Sequence, residues 1–163
     1  MKKAETVINE SLELTCDYEI FLTQKDKFIC RQLDIFDHCL TEEESLKKIL
    51  SYPVLKSKKA DLSQYLAKEY LLLSFLVELY NRYKVISCID GKHFIYDSLD
   101  EYKKSCTSSL REKKLVTLHI PELHLTIYGN YDLNMPFNFL ASNPESAVKI
   151  ETLLKKFDGL YLL

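Results

Sequence analysis

Few residues in this sequence have the type and spacing for chemistry, and they fall into three groups. Cys88 and His93 flank Asp90-Gly91. If that dipeptide closes a two-residue hairpin, thiol and imidazole become opposed cross-strand neighbours, close enough for a histidine to activate a thiol. Catalysis would also need an orienting carboxylate and an oxyanion hole, and neither is identifiable. Ile86 and Ile95 share that face, so a packed cysteine beside a half-buried histidine is the plainer expectation, and no catalytic residue is assigned. His119 and His124 flank Pro121-Glu122. A two-residue loop there would oppose the imidazoles on the face away from Leu118, Ile120, Leu123, Leu125 and Ile127. Two imidazoles can begin a zinc site, but its third and fourth ligands have no place in the sequence, so the expectation is no metal and a solvated pair whose repulsion makes local stability pH-sensitive. Pro121 cannot take the positive φ of a type I′ turn, which leaves the pairing open.

The third group is carboxylates. From Glu5 to Glu44 eleven acids stand against Lys25, Lys27 and Arg31, whereas Ser45 to Lys84 carries eight bases against Asp61, Glu69 and Glu78. On a helix, Glu19, Thr23, Asp26, Cys30, Asp34 and Asp37 would lie along one flank beside the apolar stripe, a docking surface for Lys and Arg side chains or simply a solvated face. A polar-aromatic run, Asn130 to Asn138, is a second candidate contact. Glu19, Asp26, Asp34, Asp37, Asn130, Tyr131 and Asp132 are therefore the expected partner-binding residues.

Several function classes are disfavoured. A net charge of -2 lacks the basic footprint that nucleic-acid binding needs. There is no Walker-type loop, no G-x-G-x-x-G and no G-x-S-x-G, and three glycines leave little material to cradle a phosphate, so no cofactor is expected. Five cysteines without a C-x-x-C pair fit reduced thiols rather than a disulfide framework. Met1-Lys2-Lys3-Ala4-Glu5 runs into polar residues where a signal peptide needs an apolar stretch, and the apolar run Tyr70 to Tyr80 falls short of the about 20 residues of a membrane span. A cytoplasmic protein without membrane contact is expected.

The elements that must position these groups follow from periodicity. At 163 residues, 47% hydrophobic and 28% charged, the chain suits one domain, 1-163, with a helical part at about 1-84 and a sheet-containing part at about 85-163. Residues 12–22 read either as a strand, through Leu12, Leu14, Cys16, Tyr18, Ile20 and Leu22, or as a helix. The spacing of Tyr18, Phe21, Leu22, Phe28, Ile29, Leu33, Phe36 and Leu40 favours a helix from about Asp17 onward. Thr41 and Glu44 form a capping box opening a short helix that Tyr52-Pro53 ends, and Lys56-Ser57-Lys58-Lys59 reads as a linker or, less plainly, a basic binding patch. Asp61 can cap a long helix to about Tyr83, followed by the hairpin around Asp90-Gly91 and a helix capped by Ser98. Alternating strands occupy Leu115 to Ile120, Leu123 to Tyr128 and Tyr131 to Leu140, with Pro136 marking an edge or bulge. Asn143-Pro144 starts a last helix, Gly159 stops it, and Leu160 to Leu163 could add a strand. The expected class is α+β: a helical N-terminal half packed against a small, mainly antiparallel sheet from the C-terminal half.

In this organisation the chain resembles bacterial toxin-immunity proteins, including those of contact-dependent growth inhibition systems. The likeness lies in a small α+β domain with an acidic patch, no cofactor motif, and an ending of helix then short apolar tail, from Asn143-Pro144-Glu145 to Leu160-Tyr161-Leu162-Leu163. The resemblance implies a non-catalytic cytoplasmic protein that binds a cognate basic toxin, often a nuclease, and blocks its active site. It carries over no individual binding residue. The alternatives are a thiol- or metal-dependent hydrolase built on Cys88 and His93 or on His119 and His124, or a structural subunit of an assembly.

Overall fold

Period-two alternation sorts the strand side chains onto two faces of one antiparallel sheet. A computed structural model describes residues 2–3, 23–48, 51–58, 62–89, 92–129 and 131–163. The strands are β1 (Lys2–Lys3), β2 (Phe28–Asp34), β3 (Ile86–Ile89), β4 (Lys92–Ile95), β5 (Thr117–Ile120), β6 (Leu125–Tyr128), β7 (Met135–Leu140) and β8 (Tyr161–Leu162). Their spatial order is β1-β4-β3-β5-β6-β7-β2-β8, and every neighbouring pair runs antiparallel. Among the described residues five α-helices accompany them: α1 (Glu42–Lys47), α2 (Tyr52–Ser57), α3 (Ser63–Arg82), α4 (Leu99–Leu110) and α5 (Glu145–Leu154). The protein is thus a mixed helix-and-sheet structure.

One face of the sheet presents Leu118, Ile127 and Phe137 in a cross-strand row, with Ile120, Leu125 and Phe139 in the next. Against it α3 buries Leu72, Phe75, Leu76 and Leu79 completely. The Phe75 ring meets Phe137 at 6.4 Å between centroids and Phe157, just beyond α5, edge-on at 5.3 Å. Helix α4 joins through Tyr102, which stacks on Tyr80 at 4.6 Å and donates its hydroxyl to the Leu76 carbonyl of α3. Such aromatic pairs add about 0.5–1.5 kcal/mol each beyond the area they bury.

Seven residues expected in a helix form β2 instead. The stretch from about Asp17 through Leu40 contains a 3-10 turn at Lys25–Lys27 and then the strand Phe28–Asp34, so the sheet draws on the N-terminal half as well. The spacing that suggested a helix serves both structures: Ile29 and Leu33, four apart, also share a strand face, where they pair with Phe139 and Met135. Long-range pairing on both edges, to β7 and β8, overrides the local period.

Prolines account for three further departures. Tyr52-Pro53 begins α2 rather than ending a helix, because the missing proline N–H costs nothing in a first turn. Pro136 lies inside the sheet, not at an edge. Its partner Gln32 exchanges both backbone bonds with Leu163, so Pro136 turns its nitrogen toward β6, whose ladder has already ended at Ile127 and Phe137. Pro121–Leu123 forms a 3-10 turn that leaves His124 at φ 44°, so no two-residue loop joins β5 to β6. The hairpin strands, the long helix to Arg82, the Ser98 cap and the final strand lie where periodicity put them; Asp61 and Asp90-Gly91 fall outside the described residues.

Gly129 closes the β6 end under tight constraint. Its N–H donates to the Val116 carbonyl at 2.9 Å, and a Cβ there would stand 2.9 Å from both the nitrogen and the oxygen of Val116 while striking Ser109 Oγ. Gly129→Ala is expected to cost about 1–3 kcal/mol, as overpacking does, read as a lower urea midpoint. Adding Ser109→Ala should recover only part of it, because the Val116 backbone cannot step aside.

Candidate functional site

Two segments a hundred residues apart build one cleft. Strand β2 ends in Asp34, β7 begins after the turn at Tyr131–Asn134, and their pairing of Leu33 with Met135 sets those two ends side by side. The sheet wall of the cleft is Gln32, Asp34, Asp132 and Asn134; Phe36, Cys39 and Leu40 follow from the bend after β2; Ser45, Lys48, Ser51, Val54 and Lys58 come from the α1–α2 segment. Its volume is about 560 Å³, within the range of about 300–1,000 Å³ typical of ligand sites.

Asp34 is the deepest charge, only 5% exposed. Its Oδ2 accepts from Gln32 Nε2 at 2.6 Å and its Oδ1 from the Phe36 N–H at 3.1 Å, an Asx turn that swings the chain away from the sheet. A carboxylate has about four acceptor sites, so this leaves capacity for an incoming donor, and among the described residues no cation pairs with it. Asp132 is exposed and held at φ 60°, a left-handed conformation that aspartate tolerates better than most residues. Tyr131 beside it is 54% exposed.

Across the cleft the charge changes sign. Lys48 sits 4.4 Å from the centroid of Phe36 and 4.0 Å from Glu44 Oε1, so it is already engaged. Lys68 of α3 approaches the same ring at 5.6 Å. Lys58, past the end of α2, is exposed. The stretch Lys56-Ser57-Lys58-Lys59, expected first as a linker, instead places Lys56 and Ser57 in α2 and Lys58 at its C-cap, from where Lys58 lines this wall; Lys59 falls outside the described residues.

A small network fixes the loop between β2 and α1. His38 Nδ1 lies 2.7 Å from Asp37 Oδ1 and Nε2 3.3 Å from Glu44 Oε1. A neutral imidazole would turn a lone pair toward one of these carboxylates, so the doubly protonated ring is favoured and the His38 pKa rises, through Asp37 first and Glu44 second. Glu44 accepts from the Thr41 N–H and hydroxyl, both at 3.0 Å, completing the expected capping box; those bonds hold its pKa down at about 2.

Of the seven expected partner-binding residues, Asp34 and Asp132 line the cleft and Tyr131 adjoins it. Asp37 lies just outside, bound to His38. Asp26 is not part of the site: it sits in the 3-10 turn between Lys25 and Lys27 at the far end of β2, about 20 Å along the strand from Asp34. The helical flank that would have joined these acids does not exist over Phe28–Asp34. Glu19 and Asn130 fall outside the described residues. Asn134 belongs to the expected polar-aromatic run and lines the cleft, whereas Gln32, Phe36, Cys39, Lys48 and Ser51 were not foreseen as site residues; the alternation of Cys30, Gln32 and Asp34 was the signal that could have revealed the strand carrying Gln32.

The thiol and histidine groups sit elsewhere, on the sheet face opposite α3. Cys88 does pair with His93 across β3 and β4, and Cys88 is 9% exposed. His119 pairs with Thr126, not His124, and is buried rather than solvated, at 1% exposure. Its Nδ1 lies 3.1 Å from Thr126 Oγ1 while Nε2 has no hydrogen-bond partner among the described residues, and burial, with His124 and His93 nearby, pulls its pKa down to about 4. Among the described residues no group of three His, Cys, Asp or Glu side chains is placed to hold a metal ion, and no helix is long and apolar enough to cross a membrane.

The chain matches no protein-family model, no curated protein and no solved structure, so its own side chains carry the functional argument.

Proposed function

We propose that the protein is a non-catalytic immunity protein that acts in the cytoplasm, binding a cognate basic protein toxin, such as a nuclease, and obstructing its active site. The observation that supports this reading most is the meeting of the acidic segment and the polar-aromatic run in one cleft, where Asp34 and Asp132 share a wall. A desolvated carboxylate with spare acceptor capacity, flanked by an exposed tyrosine, suits a partner's Arg or Lys as the anchor of an interface. The toxin's basic groups would then be occupied and its substrate shut out by charge and shape.

The test is affinity capture of the tagged protein's partner from native lysate over a salt series. One stoichiometric, toxic and basic partner, released progressively by salt, is expected. Asp132→Lys and Asp34→Asn should each weaken its capture about tenfold or more, whereas Cys88→Ala and His93→Ala should leave capture and neutralisation unchanged. Loss of protection in the cysteine or histidine variant, with capture indifferent to both acidic-wall variants, would replace this reading with the thiol-dependent one that the Cys88–His93 pairing suggests.

A further inference from the structure

The cleft is not simply acidic, and that constrains what fits it. Its charged lining divides by element: Asp34 and Asp132 come from the β2 end and the turn before β7, Lys48 and Lys58 from the α1–α2 segment. Lys48 is engaged by Glu44 and the Phe36 ring, but Lys58 and Asp132 have no charged partner among the described residues. Asp34 is buried, and among the described residues its hydrogen bonds come from neutral groups.

A uniformly basic partner surface would satisfy Asp34 and Asp132 while pressing cations against Lys48, Lys58 and the nearby Lys68. Like charges brought together in a partly desolvated cleft are costly, so such a surface forfeits much of what it gains. We infer that the cleft is a charge-divided docking site for a partner segment carrying a basic and an acidic side chain close together, the cation reaching Asp34 and the anion meeting Lys58. This inference rests on the cleft being a protein-docking site, and it narrows the partner's contact from basic in general to mixed in sign at this place. The partner can still be basic overall; its contacting segment must not be. Phe36 supplies the apolar strip between the two poles, and Gln32 and Asn134 supply neutral hydrogen-bonding groups on the acidic side.

The inference can be tested without knowing the partner, by titrating the full chain with three capped tetrapeptides and following its backbone amide resonances: acetyl-Gly-Arg-Glu-Gly-amide, its Arg-Arg counterpart and its Glu-Glu counterpart. The mixed peptide is expected to perturb Gln32, Asp34, Asp132 and Lys58 and to bind on the order of fivefold more tightly than either like-charged peptide. Lys58→Glu, at an exposed position where folding is safe, should turn the preference toward the Arg-Arg peptide; Asp34→Asn should abolish the advantage of Arg-Glu over Glu-Glu. Equal or tighter binding of the Arg-Arg peptide by the unaltered chain would overturn the inference, as would perturbations confined to residues outside the cleft or absent for all three peptides. Failure of the toxin reading is seen separately, in lysate capture: mixed-charge binding without a toxic partner leaves the charge division standing and removes only the immunity assignment.

Discussion

Arg111→Ala is expected to destabilise the protein by about 2–4 kcal/mol, below the loss from a fully buried ion pair because Arg111 is itself part-exposed while its partner is not. Glu69 on α3 is 6% exposed, and among the described residues the one cation paired with it is Arg111 just after α4, whose Nε reaches Oε2 at 2.6 Å and whose second amino group reaches Oε1 at 2.7 Å. The guanidinium also lies 4.9 Å over the Tyr52 ring of α2, so one side chain ties three helices together. Removing it strands a carboxylate in a desolvated position. Urea denaturation measures the loss, and Glu69→Gln in the Arg111→Ala background should return a large part of it, because a neutral amide bears burial far better than an unpaired carboxylate. An unchanged urea midpoint in Arg111→Ala would mean that water reaches Glu69 freely.

Acid should loosen the fold through His119. In the unfolded chain this imidazole takes up a proton at its ordinary value of 6.5; in the folded protein burial, with His124 and His93 nearby, delays protonation to about 4. Between those values the unfolded state holds more protons, so stability falls as pH falls from about 6.5 to about 4, by about 3 kcal/mol in all. His119→Gln, a neutral side chain that can still bond Thr126, should flatten that slope when stabilities are compared by urea denaturation at pH 7 and pH 4.5. His38 acts in the opposite direction: its raised pKa adds stability on the acid side that fades as pH rises through its folded value. That group is exposed, so its contribution is small, and subtracting the His119→Gln profile isolates the buried ring. A slope that survives the substitution would show that some other group titrates.

Where a sequence signal reported local chemistry, the structure follows it. The capping box at Thr41, the cap at Ser98, the antiparallel pairing of Ile86–Ile89 with Lys92–Ile95 and the apolar girth of α3 all depend on neighbours within a few residues. Strand β2 was hidden because its identity is decided elsewhere: only pairing with β7 and β8 distinguishes a four-residue recurrence on a strand from one on a helix. The same holds for His119, whose burial follows from its place in a row running Ile86, His119, Thr126, Asn138 across four strands rather than from its neighbours. The cleft was legible in halves. Asp34 and Asp132 were each singled out for charge and context, yet their meeting is a property of register, and the lysines opposite them come from a segment whose proline suggested a stop rather than a start.

Strand β2 also sets an order of events during synthesis. Its pairing partners are made about a hundred residues later in β7, and the last of them only at Tyr161–Leu163. An emerging chain can assemble the β3–β4 hairpin and wrap α3 and α4 early, but the wall bearing Asp34 and Asp132 waits for translation to pass β7 and completes when β8 closes its outer side. The cleft is therefore a late product of folding: its acidic wall cannot exist on a chain that has not yet been made as far as β7.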